Sequence, residues 1–180
     1  MTHPEPFAPE TVSLRDGTSV RLRAIHPDDA PRLQAFFTRL SPQSVFYRLL
    51  EYRTMLSDEE ARQLVTVDYQ SRMAIVAVRE AAGEEQIVAV ARYGVISPEE
   101  PDTAEAAIVV EDAFQGHGLG RVLIDRMVRY ARAHGIRYYV ATVHYNNAQI
   151  LHFVQSSGLR VERKMDKGLW DIVIDLETPA

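Results

Sequence analysis

The stretch VVEDAFQGHGLGR, residues 109–121, decides how the rest of the chain is interpreted. An apolar run that ends at Val110 predicts a strand, and QGHGLG, residues 115–120, opens directly into an amphipathic segment that predicts a helix. Glycine adopts the positive φ values that such a loop requires and lets a ligand approach the backbone closely. A helix start adds unpaired N–H groups and the positive end of the helix dipole. The stretch therefore predicts an anion site that suits a phosphate or pyrophosphate.

The composition is that of an ordinary globular domain and narrows the function classes. The 180 residues carry a net charge of −5, 46% of them are hydrophobic, and none is cysteine. The negative charge argues against a nucleic-acid partner, and the lack of cysteine excludes disulfides, thiolate metal sites and a cysteine nucleophile. No apolar run approaches the ~18–20 residues of a membrane span, and no signal peptide is recognised. We therefore expect a cytoplasmic protein with no membrane partner and no metal.

The order of the predicted elements describes a single domain. Residues 1–10 are rich in proline and are predicted to be a flexible tail, and residues 11–177 form the domain. A hairpin at Asp16-Gly17 is followed by three helical segments, then by an antiparallel meander that leads into the glycine loop. The helix after the loop connects to its next strand as a parallel crossover. The expected fold class is a mixed α/β (α+β) sheet, mostly antiparallel, with a central parallel strand pair and flanking helices.

Two motifs in this order resemble the GNAT superfamily of acyl-CoA-dependent N-acetyltransferases. The glycine-loop pattern of that superfamily is met by Gln115, Gly118 and Gly120. Its second pattern, an Asn with a Gly some eleven residues later, is met by Asn147 and Gly158. The resemblance implies a GNAT-like acyltransferase domain, acetyl-CoA as the acyl donor, and an amine as the acceptor. It also implies that the two central parallel strands splay apart around the thioester.

The resemblance assigns the cofactor contacts to particular positions. The loop N–H groups are expected to hold the pyrophosphate of coenzyme A, the backbone at the end of the preceding strand to pair with the pantetheine arm, and the Asn to contact that arm. The splayed strands would be residues 103–110 and 138–143. The expected cofactor-binding residues are Val109, Val110, Gln115, Gly116, His117, Gly118, Leu119, Gly120, Arg121 and Asn147.

A closer likeness concerns the catalytic base. Residues 40–48 and 104–110 look like the acetyltransferase domain of bacterial Pat-type protein lysine acetyltransferases, in which a glutamate on the fourth strand is the general base. Glu105 matches that position. A lysine amine arrives protonated, with an ordinary pKa of about 10.4, and a buried carboxylate with a raised pKa can take its proton. The alternative is that Glu105 lies on the solvated face of its strand.

Other polar residues have two interpretations each. His117 either contacts phosphate or faces solvent, and Arg121 either contacts phosphate or is a helix-surface charge. His144 and Tyr145 either pack or lie beside the substrate. Val154 occupies the position at which many GNAT members carry a tyrosine, so the general acid is unassigned. Four further residues either pack in the core or line the acceptor wall: Tyr47, Arg48, Tyr52 and Tyr69.

The resulting hypothesis is an acetyl-CoA-dependent N-acetyltransferase whose acceptor is a primary amine of a small molecule or of a protein lysine. The alternative is a non-catalytic acyl-CoA-binding or sensing module on the same fold. A dinucleotide site would need G-x-G-x-x-G after an early strand, and a P-loop would need G-K-[ST]; neither pattern is present. The acceptor, the acyl length and the oligomeric state, with a homodimer as one option, are left open.

Overall fold

The computed structural model of the chain describes residues 6–180, which form one eight-stranded sheet with five α-helices packed on it. The strands are β1 (Glu10–Ser13), β2 (Ser19–Ala24), β3 (Arg72–Ala81), β4 (Glu84–Val95), β5 (Thr103–Val110), β6 (Tyr138–His144), β7 (Leu159–Asp166) and β8 (Leu169–Pro179). The helices are α1 (Ala30–Thr38), α2 (Pro42–Leu49), α3 (Asp58–Val65), α4 (Leu119–Ala133) and α5 (Ala148–Gln155).

The sheet is antiparallel except at its centre. The strand order is β1-β2-β3-β4-β5-β6-β8-β7, and β5 and β6 are the parallel pair. The helix between them, α4, makes the crossover that the glycine loop predicted. The expected fold class, a mostly antiparallel mixed sheet with a central parallel pair, is confirmed. Among the described residues, no helix is long and apolar enough to cross a membrane.

Two apolar cores lie on opposite faces of the sheet, because successive side chains of a strand point to opposite faces. On one face, Val76 of β3 packs in the same cluster as Phe36 of α1. On the other face, the neighbouring Ile75 packs in the same cluster as Leu123 of α4. Helices α1 to α3 therefore cover one face and α4 covers the other, which leaves the end of the central pair between them.

The caps of the front helices are those that the sequence predicts. The Ser41 hydroxyl accepts a hydrogen bond from the Ser44 N–H at 3.2 Å, at the start of α2. At the start of α3, the Glu60 N–H donates to the Ser57 hydroxyl at 3.2 Å, and the Ser57 N–H donates to Glu60 at 2.8 Å. This reciprocal pair is a capping box, which a Ser followed three residues later by a Glu can form.

The ends of the domain differ somewhat from the predicted limits. Strand β1 begins at Glu10, inside the predicted tail, and the Glu10 carboxylate pairs with Arg126 of α4, with Nη2 at 3.0 Å from Oε2. Phe7 packs against the core. Residues 1–5 of the predicted tail lie outside the described residues. Strand β8 continues to Pro179, two residues past the predicted limit at residue 177, and the division into tail and domain stays a prediction.

Candidate functional site

The parallel strands β5 and β6 separate partway along their length. Their pairing ends after three positions, at Glu105, which lies opposite Val140. Residues 106–110 stay paired with β4 on one side but have no β6 partner on the other. Unpaired strand edges present N–H and C=O groups that an extended amide-bearing molecule can pair with. The predicted splay is therefore present, and Val109 and Val110 lie along its free edge.

The glycine loop connects this opening to the start of α4. Gly116 and Gly118 have φ values of +77° and +91°, in the left-handed region that favours glycine. Gly118 is the N-cap, and its carbonyl accepts from the Val122 N–H at 3.2 Å. In the described part of the chain, the N–H groups of residues 116–121 donate no backbone hydrogen bond outside the helix. Free N–H donors at a helix N-terminus, together with the helix dipole, are the features that suit an anion.

Three predicted loop residues serve the site through their backbone. The Gln115 side chain is occupied, because Nε2 donates to the Val110 carbonyl at 2.9 Å and to the Ser44 hydroxyl at 3.2 Å. The Leu119 side chain is in the core, with 1% of its surface exposed. At Gly120, a Cβ atom would lie 3.7 Å from Val110, so glycine lets α4 approach β5 closely. These residues position the loop and leave its N–H groups for a ligand.

The two charged residues predicted at the loop have protein partners. The His117 Nδ1 atom lies 3.9 Å from the Asp16 carboxylate, in the turn between β1 and β2. The Arg121 Nε atom lies 3.3 Å from the Asp125 carboxylate, and its guanidinium carbon lies 5.2 Å from the centre of the Phe153 ring. These contacts favour the surface interpretation of both side chains.

The structure brings a different cation, Arg15, to the loop. Its N–H donates to the His117 carbonyl at 3.1 Å, and its Nε atom lies 3.6 Å from the place that a Cβ of Gly118 would occupy. Among residues 6–180, Arg15 forms no ion pair. Sequence reasoning missed it, because Asp16-Gly17 indicated the hairpin turn but nothing in the sequence indicated which element the turn would contact.

Asn147 is buried at the start of α5 and retains a donor group. Its Oδ1 atom accepts from the Ile150 N–H at 3.3 Å, and 7% of the residue is exposed. Its side-chain NH2 group has no hydrogen-bond partner within the described residues. Val154, at the usual tyrosine position, packs with Val143 and Ile172 in a small apolar cluster and offers no proton donor.

Glu105 lies where the splay begins, on the face that α1 to α3 cover. Its cross-strand neighbours are Gly94 on β4 and Val140 on β6. The side chain is exposed, so the expectation of a buried carboxylate is wrong for this structure. Its neighbour on β4, Gly94, has no side chain to pack against the Glu105 carboxylate. An exposed carboxylate at this point is accessible to an incoming amine.

Two arginines on this face, Arg48 of α2 and Arg92 of β4, interact electrostatically with Glu105, and Arg72 of β3 interacts with Arg92. Burial lowers the pKa of Arg48, and the charge of Glu105 opposes that shift. Burial, together with the charges of Arg48 and Arg72, lowers the pKa of Arg92 to about 10, again against the attraction of Glu105. The sequence indicated Arg48 as a candidate for the acceptor wall, whereas Arg92 carried no signal because it lies inside an apolar strand.

Aromatic side chains form one wall of the opening. The Phe46 ring stacks on Tyr52 with ring centres 4.7 Å apart and meets the edge of His144 at 5.2 Å. The Tyr47 hydroxyl donates to the Asn146 carbonyl at 2.9 Å. Tyr69 does not join them, because it packs against the core on the α4 side. The wall is therefore built by α2 and the end of β6.

The acids that follow β5 are part of the scaffold. The Glu111 carboxylate, in a residue with 8% of its surface exposed, lies 3.1 Å from Arg39 Nε. Glu111 is therefore buried and paired, although it follows the end of a strand. The Asp112 carboxylate accepts from the Ser41 N–H at 3.0 Å and from the Ser44 hydroxyl at 3.0 Å. No three His, Asp or Glu side chains among residues 6–180 are grouped to hold a metal ion.

Comparisons with known proteins agree with this geometry. A model of the acetyltransferase (GNAT) family matches residues 33–159. The Pseudomonas aeruginosa protein named acetyltransferase PA5475 is 35% identical to this chain over 125 residues. The match covers 69% of this chain and 66% of that protein, so the chain spans just under two thirds of the relative's length. The GNAT domain of S. lividans PAT superposes with a TM-score of 0.82 at 29% identity, over 93% of this chain and 96% of that one.

A more distant structure shares the fold. The protein yncA from Salmonella typhimurium, solved with its cofactor acetyl-CoA, superposes with a TM-score of 0.64 at 22% identity. The match covers 91% of this chain and 97% of that one. At this identity the likeness shows the fold alone.

Proposed function

The chain belongs to the acetyltransferase (GNAT) family, and from this premise we propose that it transfers the acetyl group of acetyl-CoA to a primary amine by direct attack. The observation that carries the proposal is the end of β5–β6 pairing at Glu105, on the strand that leads into the glycine loop. The opening supplies an edge for an extended acyl carrier, and the loop supplies donors for its phosphates.

The proposed cofactor site uses groups that the protein leaves unpaired. The N–H groups of residues 116–121 hold the pyrophosphate, and Arg15 adds a positive charge beside them. The pantetheine arm lies along residues 106–110, the free edge of β5. The side-chain NH2 group of Asn147 donates to that arm. The yncA structure, solved with acetyl-CoA, supports this choice of donor for the shared fold.

The proposed chemistry needs one base and one oxyanion donor. Glu105 takes a proton from the acceptor ammonium, directly or through a water, and the free amine attacks the thioester carbonyl. A backbone N–H on the free edge of β5 stabilises the oxyanion. The C–N bond forms first and gives the tetrahedral oxyanion; its collapse breaks the C–S bond and releases the thiolate, while the nitrogen loses its second proton to water. A thiol has an ordinary pKa near ~8.5, so it departs readily and water can return the proton.

The acceptor reaches the site from the exposed side of Glu105. This accessibility supports either a small amine or a protein lysine as the acceptor. The family relationship supports acetyl transfer in general and does not choose between them. A cytoplasmic location and a homodimer are further parts of the proposal, and they rest on composition and family likeness.

The direct test is turnover. Purified full-length protein is incubated with acetyl-CoA and a panel of amines that includes free amino acids, polyamines and a lysine-bearing protein, and products are identified by mass spectrometry. We expect an acetylated product and an equal amount of free coenzyme A. Tight acetyl-CoA binding with no product from any amine would instead establish the non-catalytic sensing module.

A further inference from the structure

A cavity of about 80 Å³ lies between helices α1 to α3 and the face of the sheet that carries Glu105. Its lining is apolar except for two cations, Arg48 and Arg92. The apolar lining includes Leu33, Phe36, Leu56, Leu64 and Val109. One small cavity therefore combines hydrocarbon surface with two guanidinium groups.

Neither arginine forms an ion pair with a carboxylate of residues 6–180. Arg92 Nη2 donates to the Leu64 carbonyl at 3.0 Å, and Arg48 makes no hydrogen bond or ion pair among the described residues. Glu105 attracts both across a distance but pairs with neither. Partly buried charges are costly unless they are paired, so this cavity favours an anion.

A buried arginine elsewhere in the same sheet shows the contrast. Arg23 of β2 is 5% exposed, and its guanidinium is held by Asp29 at 2.7 and 2.8 Å and by Glu85 at 3.0 Å. The fold thus supplies carboxylates where an arginine has a structural role. Arg48 and Arg92 form no ion pair among the described residues, although the charge of Glu105 acts on both, and most of their guanidinium donors are left for a ligand.

The position of the cavity ties this anion site to the proposed reaction. Arg92 lies opposite Ala107 across the β4–β5 pair, and Glu105 is two residues earlier on the same face of β5. A ligand carboxylate on the arginines would therefore lie next to an amine at Glu105. The cavity has the volume of two to three water molecules at about 30 Å³ each, which suits an apolar group of three or four carbon atoms.

We propose that the acceptor is an α-amino acid with a branched aliphatic side chain. Its carboxylate binds Arg48 and Arg92, its ammonium group faces Glu105, and its side chain fills the cavity. This inference rests on the proposed acetyl transfer and names its substrate class. The product is the N-acetyl amino acid: the ammonium group gives one proton to Glu105, the amine nitrogen then bonds to the acetyl carbon, and the C–S bond breaks. The nitrogen loses its second proton as the amide forms, and water passes a proton to the departing coenzyme A thiolate.

The first test compares L-leucine with L-leucinamide, which has a neutral amide in place of the carboxylate. We expect kcat/KM for leucine to exceed that for leucinamide by about 10- to 100-fold, the range for a charged hydrogen-bonded contact. The ratio should fall close to one in Arg48→Gln and in Arg92→Gln. The control is Arg62→Gln on the exposed side of α3, which should keep the wild-type ratio. Equal use of the two substrates by the wild-type protein overturns the proposal.

The second test is binding without reaction. Calorimetric titration of the wild-type protein with 4-methylpentanoate, which has the carboxylate and side chain but no amine, should show binding that 4-methylpentanamide does not. Binding of the acid in a protein that acetylates no amine would leave this site standing and remove the proposed transfer. Turnover of polyamines or protein lysines, with no carboxylate binding, would keep the transfer and overturn the site. The comparison of leucine with leucinamide and that of the acid with its amide can both be made on the wild-type protein. They therefore test the proposal even if an arginine variant fails to fold.

Discussion

Gly118 carries two requirements at once, a left-handed backbone and space for a ligand. Its φ of +91° costs a residue with a side chain about 1–2 kcal/mol. In Gly118→Ala, relief of that strain would turn the loop N–H groups away from their common direction. We predict an increase of about tenfold or more in the Kd for acetyl-CoA, measured by calorimetry, with a smaller effect on kcat.

The matched control lies at the other end of the same helix. Gly135 has a φ of +80°, and no atom lies within 4 Å of the place that its Cβ would occupy, whereas a Cβ of Gly118 would make an ordinary contact with Arg15 Nε at 3.6 Å. Gly135→Ala should therefore cost similar stability without touching the proposed phosphate site. An equal loss of acetyl-CoA affinity in both variants would show that the loop acts through stability and not through contact with the cofactor.

At the scale of single residues, the sequence predicted the site residues that belong to motifs with a fixed spacing. The glycine loop and Asn147 lie in motifs with fixed intervals, so a single sequence is enough to propose them as cofactor contacts. Arg15 and Arg92 carried no such signal, because their neighbours come from elements far away in the chain. The exposure of Glu105 also could not be predicted, since it depends on which residues of β4 and β6 lie beside it.

The junction between β2 and α1 is held by one buried ion pair. Arg23 and Asp29 are 5% and 1% exposed, and Asp29 also accepts from the His26 N–H at 2.9 Å. Burial alone would raise the pKa of Asp29, but the hydrogen bonds from Arg23 and His26, with the charges of Arg23 and Arg32, lower it below its ordinary value. This junction fixes the direction in which the front helices leave the sheet.

We predict that Asp29→Asn lowers the free energy of unfolding by about 3 kcal/mol, because Arg23 loses its principal partner and keeps Glu85. Since the folded-state pKa of Asp29 is lowered, its contribution is present above the unfolded pKa near ~3.9 and is lost as pH falls through the folded pKa. Urea unfolding as a function of pH measures both effects. The control Asp28→Asn, at an exposed neighbour, should change stability by less than about 0.5 kcal/mol.

At the scale of elements, the sequence predicted each helix and strand that the site needs, and it erred mainly at their ends. Capping residues such as Ser57 marked helix starts correctly, because a cap is a local interaction. Strand ends were less certain: β3 runs from Arg72 to Ala81, beyond the apolar run that predicted it. Pairing with a neighbouring strand extends a strand past its apolar residues, and a single sequence does not show that pairing.

At the scale of the whole molecule, the topology places the proposed chemistry between two layers of helices. Helices α1 to α3 supply Arg48 and the aromatic wall on one face, while α4 brings the glycine loop from the other. The parallel pair β5–β6 opens between them after Glu105. The order of helices and strands in the sequence resembles that of the GNAT superfamily, and this resemblance predicted the opening between the two parallel strands. The extent of the opening and the unpaired arginines required the structure.

The central claim is that Glu105 is the base of an acetyl transfer whose cofactor is held elsewhere. The decisive measurement is kcat for amine acetylation by Glu105→Gln, made alongside the Kd for acetyl-CoA and with Glu99→Gln, an exposed loop residue, as the control. We predict that kcat falls by about 10²- to 10⁴-fold in Glu105→Gln while the Kd for acetyl-CoA is unchanged, and that the control matches the wild type. A Glu105→Gln protein with wild-type kcat would contradict the account.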